Sequence, residues 1–148
     1  MKLWSALYAV IWVVLFEFLF GMWPDPPLVV PYLHLVLGFG IVLITYLCFE
    51  HLRKTRVPGR VKRIAKASRD LSIVTVVLGL LLWFDLGSSW VIPVANLSVF
   101  RFILLLHVVL ALAIITKLAA AAIAYDMWED REFGKETEPG EVPAAPAP

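Results

Sequence analysis

The chain has 148 residues, of which 61% are hydrophobic, and a mean hydropathy of +0.84. This balance excludes an ordinary soluble domain and predicts a membrane protein. The formal net charge is only +1. The basic residues are concentrated in one segment without interleaved aromatic residues, which argues against nucleic acid as a partner. A single cysteine, Cys48, excludes a disulfide framework and a thiolate metal site.

Four apolar runs are each long enough to cross a lipid bilayer as a helix, which takes about 20 residues. The runs are continuous rather than alternating, so we expect no strands. The expected spans cover residues 3–23, 28–49, 71–91 and 99–125. Short connections predict an all-α, four-helix, up-down-up-down transmembrane bundle over residues 1–128. The acidic and then Pro/Ala-rich residues 129–148 are expected to form a disordered cytoplasmic tail.

The connection between the second and third spans determines the predicted orientation. Residues 52–69 carry eight Lys or Arg residues up to Arg69 and no acidic residue, whereas residues 86–98 carry no charge. By the positive-inside rule the basic segment is cytoplasmic, and so are both termini of a multi-pass protein of the cell membrane. His51, at the cytoplasmic end of the second span, is expected to be an interfacial residue.

Four ionisable residues, one from each expected span, share one layer in the half that faces outward: Glu17, His34, Asp85 and His107. Such residues are costly inside a membrane and by default indicate a function. From the helical rise, His34 lies roughly 8–9 Å and His107 roughly 10 Å below the outer ends of their helices. Two imidazoles at matched depth on the second and fourth helices predict a bis-histidine haem b site. Glu17 and Asp85 are candidates to orient the imidazoles or to relay protons.

Other residues near this layer fit the same hypothesis. Gly38 and Ala111 each follow a histidine by four residues on the same helix face and leave room for a porphyrin, although small residues also serve helix packing. Arg101, about 9 Å above the second histidine, is expected to bind a haem propionate, to anchor the interface or to pair with an acidic residue. Trp12 and Trp83 lie inside their spans and are expected to wall a pocket or to fill the bundle.

Three other interpretations stay open. Two neutral imidazoles are also a copper or zinc pair if Glu17 or Asp85 provides a third ligand. A cofactor-free structural or assembly subunit of a membrane complex would use the polar layer as a hydrogen-bond network between helices. A half-size haem-modifying enzyme is the third. The haem interpretation favours outer-sphere electron transfer, because two histidine ligands leave no open position on the iron.

The layout resembles the four-helix membrane b-type cytochromes. It is most similar to one half of the haem A synthase family, whose repeat has its histidines on the same two helices. The resemblance spans residues 3–125 and rests on Pro31-Tyr-Leu-His-Leu-Val-Leu-Gly38 and Leu106-His-Val-Val-Leu-Ala111.

The resemblance implies that His34 and His107 are axial ligands of haem b. The protein would then be an electron carrier or a respiratory cytochrome subunit rather than an independent enzyme, with a quinone or other respiratory-chain subunits as partners. The family's Glu-His-x-x-Arg-like cluster is absent, since Pro31-Tyr32-Leu33 precedes the first histidine, and the first outer loop has no cysteine. No catalytic residue is therefore carried over.

Overall fold

The computed structural model describes residues 3–93 and 96–133, and long helices dominate this part of the chain. They are α1 (Leu3–Gly21), α2 (Val29–Lys54), α3 (Gly59–Trp83) and α4 (Val99–Phe133). Consecutive helices are in contact, and α1 also contacts α4, so the four helices close a ring. In this ring α2 and α4 face each other diagonally. The predicted all-α architecture is confirmed for the described residues.

The basic segment is mostly helical, which corrects the expectation of a loop over residues 52–69. The second helix continues to Lys54 and the third begins at Gly59, so only residues 55–58 connect them. The Lys62 ammonium group donates hydrogen bonds to the carbonyl oxygens of Arg53 at 3.2 Å and Thr55 at 2.7 Å. A cation on these terminal carbonyls stabilises the end of α2 through hydrogen bonds and the helix dipole. We call this end of the bundle the lower end.

At the opposite, upper end, the first connection contains prolines at positions 24, 26 and 27, which cannot continue a helix. The third helix ends at Trp83 rather than at the expected residue 91, and the chain turns with positive φ at Asp85 (52°) and Gly87 (83°). A Cβ atom at position 87 would lie 2.8 Å from Cγ1 of Val99, so this turn requires glycine. The helix therefore ends before the acidic residue that the sequence analysis placed inside the span.

Two short strands follow this turn, which corrects the expectation that the chain has none. β1 (Val91–Ile92) and β2 (Leu97–Ser98) pair antiparallel, with Val91 opposite Ser98. The last helix begins directly after β2 and extends through residues 129–133, which were expected to belong to the tail. The rest of the expected tail, residues 134–148, lies outside the described residues.

The bundle is packed with apolar side chains in its middle and at its lower end. The middle cluster comes from α1, α2 and α4 and contains Ala6, Leu7, Val10, Val14, Ile41, Cys48, Ile114, Leu118 and Ala122. The lower cluster contains Leu52, Val57, Val61 and Ala65, with Tyr125 and Trp128 packed against it. The upper part of the bundle encloses a cavity instead.

Polar side chains lie inside this bundle while large apolar ones lie on its surface. The buried polar residues are Glu17, Thr45, Ser68, Ser72 and Thr75. Exposed side chains include Phe16, Leu19, Val36, Phe39, Leu43, Val77, Leu105, Val109 and Leu112. By length and composition, α2 and most of α4 (Val99–Glu132) qualify as membrane-crossing helices.

Candidate functional site

The cavity at the upper end lies between the diagonal helices α2 and α4 and has a volume of about 320 Å³. All four helices contribute to its wall. Cavities that bind small molecules or cofactors typically measure about 300–1,000 Å³ and are apolar with a few polar groups. This wall fits that description, because its polar side chains, tryptophans aside, are Glu17, His34, Ser72, Thr75 and His107.

His34 and His107 face each other across this cavity, as the sequence analysis predicted. Their ring centroids are 6.2 Å apart and their ring planes are inclined by 58°. Both side chains are partly buried. The structure thus brings together two residues that are 73 positions apart in the chain, on helices that otherwise lie on opposite sides of the bundle.

The Nδ1 atom of each histidine lies against an acceptor on the preceding helix. His107 Nδ1 is 2.9 Å from the Thr75 carbonyl oxygen. Because a carbonyl oxygen only accepts, this bond makes Nδ1 the donor and leaves Nε2 with its lone pair. His34 Nδ1 lies 2.7 Å from Oε2 of Glu17. The direction of this second contact is not that of a well-formed hydrogen bond, and Oε1 of the same carboxylate has no partner in the described part of the chain.

A glycine of the preceding helix lies against each imidazole ring. A Cβ atom at Gly79 would lie 3.1 Å from Cε1 of His107, and one at Gly21 would lie 3.4 Å from Cε1 of His34. The first distance is shorter than a normal carbon–carbon contact of about 3.5–4.0 Å. Gly79 therefore allows the His107 ring to approach the backbone closely, whereas a Cβ atom at position 21 would make a nearly ordinary contact with His34. The sequence analysis did not assign this role to Gly79.

The two helical hairpins build the site in the same way. In each hairpin the first helix supplies an acceptor and, four residues later, a glycine: Glu17 with Gly21 on α1, and Thr75 with Gly79 on α3. The second helix of each hairpin supplies the histidine. Buried positions also correspond, since residues 3 and 7 positions before each acceptor are buried in both hairpins. The two hairpins therefore share one local arrangement around their histidines, although one acceptor is a side-chain carboxylate and the other a backbone carbonyl.

The small residues predicted to make room below the histidines do line the cavity. Gly38 and Ala111 are both part of its wall, and a Cβ atom at Gly38 would meet only Cγ2 of Val76 at an ordinary 3.8 Å. Trp83 also lines the cavity and packs edge-on against Tyr32 with a centroid distance of 5.3 Å. The prediction for Trp12 was wrong, because this side chain is 60% exposed on the outside of the bundle.

Asp85 and Arg101 are not part of the cavity wall. Asp85 lies in the exposed turn beyond α3, because the helix ends two residues earlier. Arg101 is exposed in the first turn of α4, where its backbone amide donates to Ser98 Oγ at 3.3 Å. Its guanidinium group forms no ion pair within residues 3–93 and 96–133. Of the predicted acidic pair, only Glu17 reaches the histidines.

The spacing of the two rings matches a single metal ion held between them. A bond between a metal ion and an imidazole nitrogen is about 2.0 Å long, and the ring centre lies about 1 Å further, so opposed Nε2 ligands separate the centroids by about 6 Å. The observed separation is 6.2 Å. The inclined ring planes are compatible with this arrangement, because each imidazole can rotate about its metal–nitrogen axis without changing the separation. Two imidazoles at this spacing are therefore compatible with the ligand set of a haem that two histidines would hold.

A copper or zinc site with additional carboxylate ligands has less support. Within the described ranges, no group of three or more His, Cys, Asp or Glu side chains is placed to hold a metal ion. Glu17 contacts the Nδ1 side of His34, away from the lone pair on Nε2. The carboxylate is thus placed to orient a ligand rather than to be one.

Thr75 was missed because its contribution is a backbone carbonyl, which every residue carries. Only the packing of α3 against α4 selects this one. The glycines gave little more signal, because only Gly21 lies near the upper end of an expected span, whereas Gly79 lies in the middle of an apolar run. Comparisons of the chain with protein-family models, with curated proteins and with solved structures found no match.

Proposed function

We propose that the protein is a four-span membrane cytochrome that binds haem b between His34 and His107 and transfers electrons. The observation that carries this proposal is the pair of opposed imidazoles, 6.2 Å apart, each with its Nδ1 against an acceptor. An acceptor on one nitrogen fixes the tautomer and the orientation of a ligand histidine.

The membrane part of the proposal rests on the distribution of polar groups. Polar side chains face the bundle interior and apolar ones face outward, which is the arrangement that a lipid environment favours. The 19 residues of α1 span about 28 Å, close to the thickness of a bilayer core. The basic lower end, around residues 53–69, is placed in the cytoplasm together with both termini, and the cavity then lies in the outer half of the cell membrane.

In this proposal each residue of the site has one task. The Nε2 atoms of His34 and His107 hold the iron, while Glu17 and the Thr75 carbonyl hold the imidazoles in place. Gly38 and Ala111 leave space beside the ligands, and apolar side chains exclude water. When bound, haem b supplies a one-electron ferric/ferrous couple whose potential depends on its ligands and surroundings.

Electron exchange is expected at the upper end. Trp23 and Pro26 of the first connection line the cavity there, so a cofactor edge comes close to the outer surface. The exposed Arg101 guanidinium is free to bind a propionate at the same end, since guanidinium groups match carboxylates. A quinone in the bilayer, an extracytoplasmic redox protein or another respiratory subunit would be the partner.

The visible spectrum of the purified protein tests this proposal. Protein from haem-replete cells should show a reduced α-band of the b type, and His34→Ala and His107→Ala should each lose the six-coordinate spectrum. His51→Ala is the matched control, because the third histidine is exposed and lies outside this cavity. A colourless wild-type preparation would overturn the proposal in favour of a cofactor-free structural subunit. Extraction of a modified porphyrin would instead identify a haem-modifying enzyme.

A further inference from the structure

The two proposed ligands differ in the groups that hold them. His34 lies beside a side-chain carboxylate, with 2.7 Å between Nδ1 and Oε2 of Glu17. His107 donates to a neutral carbonyl oxygen at 2.9 Å. The helical geometry of α3 already assigns this Thr75 carbonyl to the amide of residue 79, so the imidazole shares its acceptor. Each histidine therefore has an acceptor on the preceding helix, but only the acceptor beside His34 is a side-chain carboxylate.

This difference changes the strength of the two ligands. A carboxylate beside Nδ1 makes the other imidazole nitrogen a better donor to a metal ion than a neutral carbonyl does. The imidazole of His34 is accordingly the stronger ligand, and negative charge beside it stabilises the ferric over the ferrous state.

Glu17 is a buried acidic residue whose charge needs a compensating group. The residue is 5% exposed, and its Oε1 atom has no hydrogen-bond partner among the described residues. A buried carboxylate destabilises a folded protein unless another group compensates for it. A protonated His34 compensates for this charge when no metal is bound, and ferric iron bound to a neutral His34 would take the place of that positive charge.

We infer that His34 and His107 form an unequal ligand pair, in which His34, oriented by Glu17, retains the haem and His107 is the weaker ligand. The inference rests on the proposed function and adds to it a positioning residue and an order of ligand strength. Loss of the weaker ligand should leave a five-coordinate haem on the stronger one. Loss of the stronger ligand should release most of the haem.

The test compares full-length variants purified from haem-replete cells, with haem measured per mole of protein. We expect His107→Ala to keep at least half of the wild-type haem. This haem should have a five-coordinate spectrum and should bind carbon monoxide. His34→Ala should keep less than a tenth. Elution as a single species and unchanged helicity, with His51→Ala as reference, exclude a folding defect. Equal haem loss in the two variants, or the reverse order, would overturn the inference.

Glu17→Gln gives a second measurement that leaves both ligands in place. At a fixed ambient potential the ferrous-to-ferric ratio should rise about tenfold, which is about 59 mV for a one-electron couple. Glu17→Asp, which restores the charge, should move the ratio back toward the wild-type value. An unchanged ratio in Glu17→Gln would refute the role of the carboxylate. A wild-type protein without haem would instead reject the proposed function, so the two failures are distinguishable.

Discussion

Gly79→Ala is the most direct perturbation of the site, because it adds one methyl group beside a proposed ligand. The new Cβ atom would lie 3.1 Å from Cε1 and 3.6 Å from Nδ1 of His107. Carbon atoms in contact prefer about 3.5–4.0 Å, so the ring must move by about 0.5 Å. Such a movement stretches the 2.9 Å bond to the Thr75 carbonyl toward the limit of a hydrogen bond.

The expected effect is on haem affinity rather than on folding. Disturbing the group that orients a metal ligand typically lowers affinity about 10- to 100-fold, which corresponds to about 1.4–2.8 kcal/mol. Glycine to alanine within a helix stabilises the helix by about 0.5–1 kcal/mol, which offsets much of any loss in packing. Gly79→Ala should therefore remain folded while it binds haem weakly.

Gly40→Ala is the matched control, because a Cβ atom at this position would have nothing within 4 Å. Gly21→Ala should give an intermediate effect, since its Cβ atom would lie 3.4 Å from His34. The assay is a titration of the apoprotein in detergent with ferric haem, followed by the Soret absorbance. If Gly79→Ala and Gly40→Ala bind haem with dissociation constants within threefold of each other, the reasoning about His107 is refuted.

Three further predictions concern residues outside the ligand pair. Thr45→Val and Ser72→Ala should each lower the free energy of unfolding in detergent. A double-mutant cycle should give a coupling energy of about 0.6 kcal/mol, because the two buried hydroxyl oxygens are 2.9 Å apart. Additive effects of the two substitutions would contradict a direct hydrogen bond. Asp85→Asn should leave haem content and potential unchanged, since this residue lies in an exposed turn outside the cavity, and a shift in potential would place its carboxylate near the iron. Cysteine labelling in a Cys48→Ala background tests the orientation. Ser88→Cys should react with an impermeant maleimide in intact cells, whereas Arg60→Cys should react only after permeabilisation. The opposite pattern would reverse the proposed orientation.

The sequence predicted those parts of the fold that depend on long apolar runs. Helices α2 and α4 begin within one residue of the expected spans, because run length and prolines determine these boundaries. The start of α3 was missed, because the charges of residues 59–69 were interpreted as a loop. Val61, Ala65 and Ser68 nevertheless recur every three or four residues and are all buried, which is the pattern of an amphipathic helix.

The residues of the site were predictable only where their position along a helix determined their placement. The depth of a residue along a helix can be calculated from the sequence, so the approach of Glu17, His34 and His107 was foreseeable. The prediction that Asp85 lies in the same layer as the histidines was wrong, because a depth calculation assumes that the helix continues. The positive φ angle at this residue shows that the helix has ended. The Thr75 carbonyl has no signature in the sequence at all, since its role arises only from packing between helices.

The origin of the two histidines has a consequence for assembly. Each hairpin brings one histidine with its own acceptor and its own glycine, so neither half of the chain contains a complete site. In the proposed function, the iron would add a cross-link between α2 and α4 to the apolar contacts that the middle cluster makes between the same helices. The six-coordinate spectrum then reports that the second hairpin has docked on the first, and the cofactor doubles as a marker of correct insertion and folding.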